Sequence, residues 1–353
     1  MISTPYVPVP PPRYGGTELV VGALVEGLAE RGHEVTLFSC GGSRVGHSRA
    51  ELRTLYDCAA WPPDPRIELD HAGWAIESVL GDARGFDLIH AHVPAALAFA
   101  PLCDVPMAYT VHHEREPALQ PSYRRLARHA RFIAISARQR KVAALDGAHV
   151  IHHGVPPDGF PLGDGAGGYA AFLGRFAAEK GVHHAIDAAR AARVELRLAG
   201  RPHPGDGGYY RGEVVPRLAC ARAAHELGEV GGRDKAQLLG DAIALLFPIE
   251  WEEPFGLVMI ESMLCGTPVL AFERGSVPEV IDDGVTGFLC ATAGEMAWRL
   301  RRLARDGFDR RRCRERALER WSAARMVDDH IALYQSMTSK AVHVAGAPAS
   351  AGA

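Results

Sequence analysis

The chain has 353 residues, 47% of them hydrophobic and 23% charged, and a formal net charge of −3 at pH 7. That length carries two domains of ordinary size, and so balanced a charge excludes a general attraction to nucleic acid or to an anionic membrane surface. Its seven cysteines are odd in number and never spaced C-x-x-C, so they read as thiols of a reducing cytoplasm, not as a disulfide frame or a zinc site.

The opening "MISTPYVPVPPPRYGG" lacks the charged-then-apolar pattern of a secretory leader, and no apolar run approaches the ~20 residues of a membrane span. A cytoplasmic protein is expected. The first helix is expected at "TELVVGALVEGLAERGH", with Thr17 as N-cap and Gly32 near its stop. Short buried strands follow at "EVTLFS", "DLIHAH", "PMAYTVH", "RFIAIS" and "AHVIHHG". After the Pro- and Gly-rich stretch "GVPPDGFPLGDGAGG", a second set reads "YAAFLGRF", "VELRLAG", "AIALLFP", "TPVLAF" and "TGFLC". Alternating strands and helices predict parallel sheets with helices on both faces, and two sets predict two doubly wound α/β domains with the ligand site in the cleft between them. The expected division is 1–153, a linker over 154–168, a second domain over 169–320, a helix over 321–338 packing back on the first domain, and a disordered tail over 339–353.

"GDGAGG" (Gly163–Gly168) satisfies G-x-G-x-x-G literally, but it precedes a strand and opens no helix, so the dinucleotide-binding mechanics fail. The informative segment is "IEWEEPFGLVMIESMLC", a turn at the end of "AIALLFP" that leads into an apolar helix. Pro254 suits the first turn of that helix, and the free N–H groups near Phe255, Gly256, Leu257 and Val258 form a place for a phosphate. Glu253 stands at its mouth, with Glu261 expected about two turns in, among apolar side chains where an unpaired carboxylate costs several kcal/mol. Either Glu261 accepts the two hydroxyls of a ribose, or it pairs with an arginine such as Arg274. "LGRFAAEKGV" adds Arg175 and Lys180, two cations suited to a diphosphate leaving group. Only four of the 39 basic residues are lysines, which makes this one conspicuous.

Together these segments resemble the family 4 glycosyltransferases, nucleotide-sugar-dependent enzymes of GT-B fold. "GRFAAEKG" is similar to their phosphate clamp, "EPFGLVMIE" to their Glu-x7-Glu signature, and "GTPV", "GSVPEVIDDGVTGF", "RYGGTE" and "YTVH" to further family motifs. The resemblance implies a retaining, front-side sugar transfer with a UDP-sugar favoured over a GDP-sugar as co-substrate, no other cofactor, and a hydroxyl-bearing acceptor. Glu261 would bind the ribose, and Glu253 with the Phe255 and Gly256 backbone would hold the donor sugar. Arg175, Lys180 and the Gly15–Gly16 loop would hold the diphosphate, and "ELGEV" (Gly228 and Val230) the base. His112 would lie near the reacting carbon, with His113 and His92 toward the acceptor. His90 and His92 share a strand face, where packing or cleft lining is favoured over a metal pair, and "IHHG" departs from the family's Asn-Gly and leaves His153 without an assigned role. No D-x-D motif occurs, so no metal is expected in the reaction. In "PSYRRLARHARF", Arg124, Arg125, Arg128 and Arg131 read as a solvated face, a peripheral membrane contact being the less favoured alternative. Family members begin with a full strand where this chain offers only "MIST"; either four residues suffice or the true start lies upstream.

Overall fold

The computed structural model describes residues 1–13, 15–221 and 223–345. In the first half, β1 (Val35–Ser39), β2 (Ala50–Thr54), β3 (Ile89–Ala91), β4 (Met107–Val111), β5 (Ala130–Ala134) and β6 (His149–Val150) all pair in parallel. β3-β4-β5-β6 form one sheet, and Ile2 bridges β1 and β3 at Phe38 and Ala91, which joins the β1-β2 pair to it. Ile2 N–H donates to the His90 carbonyl at 2.9 Å, and Ser3 N–H to the Phe38 carbonyl at 2.9 Å. The stretch "MIST" therefore stands in the middle of the sheet.

The second half holds β7 (Tyr169–Leu173), β8 (Glu195–Ala199), β9 (Ala224–Gly228), β10 (Ala244–Phe247), β11 (Val269–Phe272) and β12 (Gly287–Cys290), in the parallel order β12-β11-β10-β7-β8-β9. The architecture is the GT-B one: two parallel α/β sheets facing across a cleft. Strands such as β4 ("MAYTV") and β10 ("ALLF") are buried along their whole length, which is why they appear as unbroken apolar runs. β2 ("AELRT") and β9 ("AHELG") lie at sheet edges and are half polar, so neither reads as a strand from its pattern.

The segment expected as a loose linker is pinned. Val155 N–H donates to the Trp321 carbonyl at 2.9 Å, and the Arg310 guanidinium reaches the carbonyls of Gly163 (2.9 Å), Gly240 (2.7 Å) and Ala242 (3.0 Å). A Cβ on Gly163 would sit 2.1 Å from the Gly240 carbonyl oxygen, so the backbone approach there requires glycine.

The last helix, Ala323–Ala345, lies on the first, Gly16–Glu30, and Met326, Val327, Leu333 and Met337 share one apolar cluster with Val20, Val21, Leu24 and Leu28. That helix carries 339–345 of the expected disordered tail in helical form, and 346–353 lie outside the described residues. A polar seam also joins the halves. Glu279 accepts from the backbone N–H groups of Ala137 (2.8 Å) and Arg138 (2.6 Å), and the Arg138 guanidinium holds Glu252 at 2.7 Å. Among the described residues no helix is long and apolar enough to cross a membrane.

Candidate active site

The cleft measures about 570 Å³ and is lined from both halves, by Gly15, Gly16, His112 and His153 on one side and by Arg175, Lys180, Glu253 and Glu261 on the other. On the second side β10 ends at Phe247 and the chain turns through Trp251 and Glu253 before the Leu257–Leu264 helix begins. Glu253 is only 8% exposed. Its Oε2 accepts from Lys180 Nζ at 2.6 Å and from Trp251 Nε1 at 2.9 Å, and the same ammonium lies 4.3 Å from the Trp251 ring. Gly256 caps the helix at φ 80°, where a Cβ would meet the Met259 methyl at 2.7 Å. The helix starts at Leu257, so Pro254 lies before it and not in its first turn, and Glu261 is one turn in. The left-handed Gly256 sets that start.

Glu261 is 4% exposed, and its Oε1 accepts from Lys235 Nζ at 2.5 Å. The partner is a lysine, not Arg274. Lys235 comes from the Gly232–Asp241 helix, and its ammonium stands 5.2 Å from the Phe160 ring. Each cleft carboxylate therefore has a lysine of its own. Arg175, just past β7, is held by Glu179 and, at 3.7 Å, by Asp206.

Facing these groups, Gly15 (φ 153°) caps the Gly16–Glu30 helix without any side-chain cap, so Thr17 lies inside the helix instead of capping it. A Cβ on Gly15 would come 2.7 Å from Pro11 Cβ, and one on Gly16 would come 3.3 Å from Leu257 Cδ1. Two helix N-termini thus meet at one point of the cleft. Each presents unpaired backbone N–H groups and the positive end of its dipole, and three cationic side chains stand around them. Such a place favours a polyanion.

Residues 14–158 match the family model described as Glycosyltransferase Family 4, and residues 164–320 the model described as Glycosyl transferases group 1. The chain is a family 4 glycosyltransferase. It is 29% identical to the alpha-maltose-1-phosphate synthase of Mycobacterium tuberculosis over 335 residues, covering 79% of this chain and 81% of that one. Among solved structures, sucrose-phosphate synthase of Thermosynechococcus elongatus superposes with a TM-score of 0.79 at 21% identity, covering 96% of this chain and 98% of that one. Anabaena HepE in complex with UDP and glucose gives a TM-score of 0.73 at 21% identity, with coverage of 95% and 98%.

Not every site residue expected from sequence faces the cleft of this glycosyltransferase. Val230 lines it, whereas Gly228 lies behind, accepting from Gly200 N–H at 2.8 Å. His113 is turned away, its Nε2 bonded to the Tyr123 hydroxyl at 2.7 Å. His92 is 4% exposed and sits behind His112, with its Nδ1 2.8 Å from His112 Nε2. His90 bonds Tyr334 through Nδ1 (2.6 Å) and Thr110 through Nε2 (2.8 Å), which leaves it no lone pair for a metal. Burial lowers the pKa of His90, His92 and His112, that of His112 to about 3, so this column of three is neutral at neutral pH. His153 enters the cleft, stacked on His112 at 5.2 Å and edge-on to Phe255 at 5.3 Å. Lys235 has no motif of its own. Its rarity in an arginine-rich chain was the one available signal.

Proposed function

We propose that this glycosyltransferase moves a sugar from a UDP-sugar to a hydroxyl of a small-molecule or saccharide acceptor, with retention at the anomeric carbon and no metal ion in the reaction. The observation that carries the reading is the meeting of two helix N-termini with Lys180 and Arg175 at one point. Charge that grows on a departing diphosphate is stabilised there by preorganised donors. UDP-bound and UDP-glucose-bound structures of similar fold support the choice of base.

Glu261, held through Oε1 by Lys235, offers its other oxygen to the ribose hydroxyls. Glu253 orients the donor sugar, and because one of its oxygens already accepts from Lys180 and Trp251, it is a poor nucleophile. A donor phosphate oxygen then takes the acceptor's proton on the face that the leaving group departs from. Cations and helix dipoles supply the charge that a divalent ion would otherwise bring. The test is acceptor-dependent release of UDP from UDP-glucose in excess EDTA, and turnover is expected to persist. Complete loss on chelation, restored by Mg²⁺ or Mn²⁺, would overturn the metal-free reading.

His92 sets the tautomer of His112. His92 Nε2 and His112 Nδ1 both lack a hydrogen-bond partner, so one orphaned N–H must exist. If His92 Nδ1–H donates to His112 Nε2, the orphan is the buried Nδ1–H of the ring that lines the cleft, and the imidazole is held in one orientation toward it. The reverse tautomer would strand it on the buried His92. Losing that donor leaves a buried nitrogen unpaired at about 1–3 kcal/mol, so His92→Leu is expected to lower kcat roughly 10- to 100-fold. His92→Asn, which keeps an N–H donor at the same reach, should retain most of it. Equal kcat in the two variants would refute the tautomer assignment.

A further inference from the structure

Outside the cleft, one group of side chains among the described residues brings three ligand-type atoms together at spacings longer than a charge-assisted hydrogen bond: His183, His184 and Glu250. His183 and His184 open the Val182–Ala192 helix, and their ring centroids lie 4.0 Å apart with the planes tilted by 36°. Glu250 is in the loop after β10. It presents one oxygen to each ring, Oε2 to His183 Nε2 at 3.6 Å and Oε1 to His184 Nε2 at 3.3 Å. A charge-assisted N–H···O bond closes to about 2.7–2.9 Å. The observed spacings are longer than that and lie close to the ~3.3–3.5 Å that separates neighbouring ligand atoms around an ion held at ~2.0–2.1 Å, a range that the His184 contact meets and the His183 contact slightly exceeds.

We propose that His183, His184 and Glu250 bind a divalent transition-metal ion of the zinc type, outside the reacting cleft. The donor set, two imidazoles and a carboxylate, suits that class and not calcium or magnesium. His183 already has the support that ligating histidines require: its Nδ1 is bonded to the Tyr209 hydroxyl at 2.8 Å, which fixes the ring and leaves Nε2 to the ion. The Glu250 side chain is 46% exposed, so a fourth position is open to water.

The ion would be a clasp and not a reagent. Glu250 N–H donates to the Glu179 carbonyl at 2.8 Å, so the two loops that carry Lys180 and Glu253 already touch here. A metal would tie the start of the helix after Lys180 to the strand-end loop before Glu253. No step of the transfer passes through it.

The test is titration of the metal-free, full-length protein with Zn²⁺ in competition with a chromophoric chelator, with thermal midpoints recorded alongside. Wild type is expected to bind one equivalent and melt at a higher temperature with the ion. His184→Asn and Glu250→Gln should each bind at least tenfold more weakly and lose that shift, and Tyr209→Phe should weaken binding about tenfold with the ligands intact. His33→Asn, remote from the group, should change nothing. Folding of each variant is checked in EDTA, where its midpoint should match that of metal-free wild type. A variant that melts lower there is replaced by His183→Gln, read in the same way. Equal stoichiometry and affinity in wild type and in the ligand variants would overturn the proposal, and so would the absence of any bound equivalent in wild type.

Discussion

Lys180→Ala is expected to lower kcat/KM for the donor by about 10²–10³, the loss of one preorganised charge beside a developing anion, worth roughly 2.7–4 kcal/mol. The structure adds a second consequence. Lys180 is also the main partner of the buried Glu253, and removing one member of a buried pair destabilises by about 3–5 kcal/mol. The Trp251 indole remains as a donor and keeps that loss toward the lower end. The double variant Lys180→Ala/Glu253→Gln separates the two effects. It should regain much of the thermal stability and none of the activity. Arg175→Ala should act in the same direction more weakly, since Glu179 and Asp206 already share its charge. Wild-type kcat/KM in both single variants would remove the phosphate clamp from the mechanism.

Glu261→Gln and Glu253→Gln should fail in different ways. If Glu261 accepts the 2′ and 3′ hydroxyls, the amide weakens charge-assisted bonds worth about 2–4 kcal/mol together, and UDP binds roughly 30- to 1000-fold more weakly. Glu253→Gln should leave UDP affinity nearly unchanged and impair turnover, because its ligand is the sugar. Calorimetric titration with UDP and with its 2′,3′-dideoxy analogue distinguishes the roles. Equal wild-type affinity for the two nucleotides would show that Glu261 serves Lys235 alone. Loss of the Glu261 carboxylate would then cost stability but not binding.

Much of this molecule was legible before any coordinates, and the reason is physical. Parallel strands buried on both faces, such as β4 and β10, leave continuous apolar runs, and a buried carboxylate such as Glu261 must have a partner, so both are visible in a string of letters. What stayed hidden depends on three-dimensional neighbours. Lys235 reaches Glu261 from 26 positions away on another helix, and no local pattern marks it. His92, just past the end of β3, keeps the alternation with His90, yet whether it faces substrate or another histidine is decided by His112, just past the end of the neighbouring β4. The edge strands β2 and β9 were missed because one side of each meets water, which removes the apolar signal. The Leu257–Leu264 helix begins three residues past Pro254, because the left-handed Gly256 and not the proline sets its start.

The packing of the last helix on the first has a consequence for synthesis. The apolar stripe of Val20, Leu24 and Leu28 is covered by Met326, Val327 and Leu333, and His90 in the middle of the first sheet is hydrogen-bonded to Tyr334. The first domain leaves the ribosome well before the residues that complete it, and at about 5–20 residues per second the wait is on the order of ten to thirty seconds. During that interval its first helix is docked on one side only, with the stripe open to water and to other nascent chains. The first domain produced alone should be prone to aggregate for the same reason, and supplying the Ala323–Ala345 segment in trans should rescue its solubility.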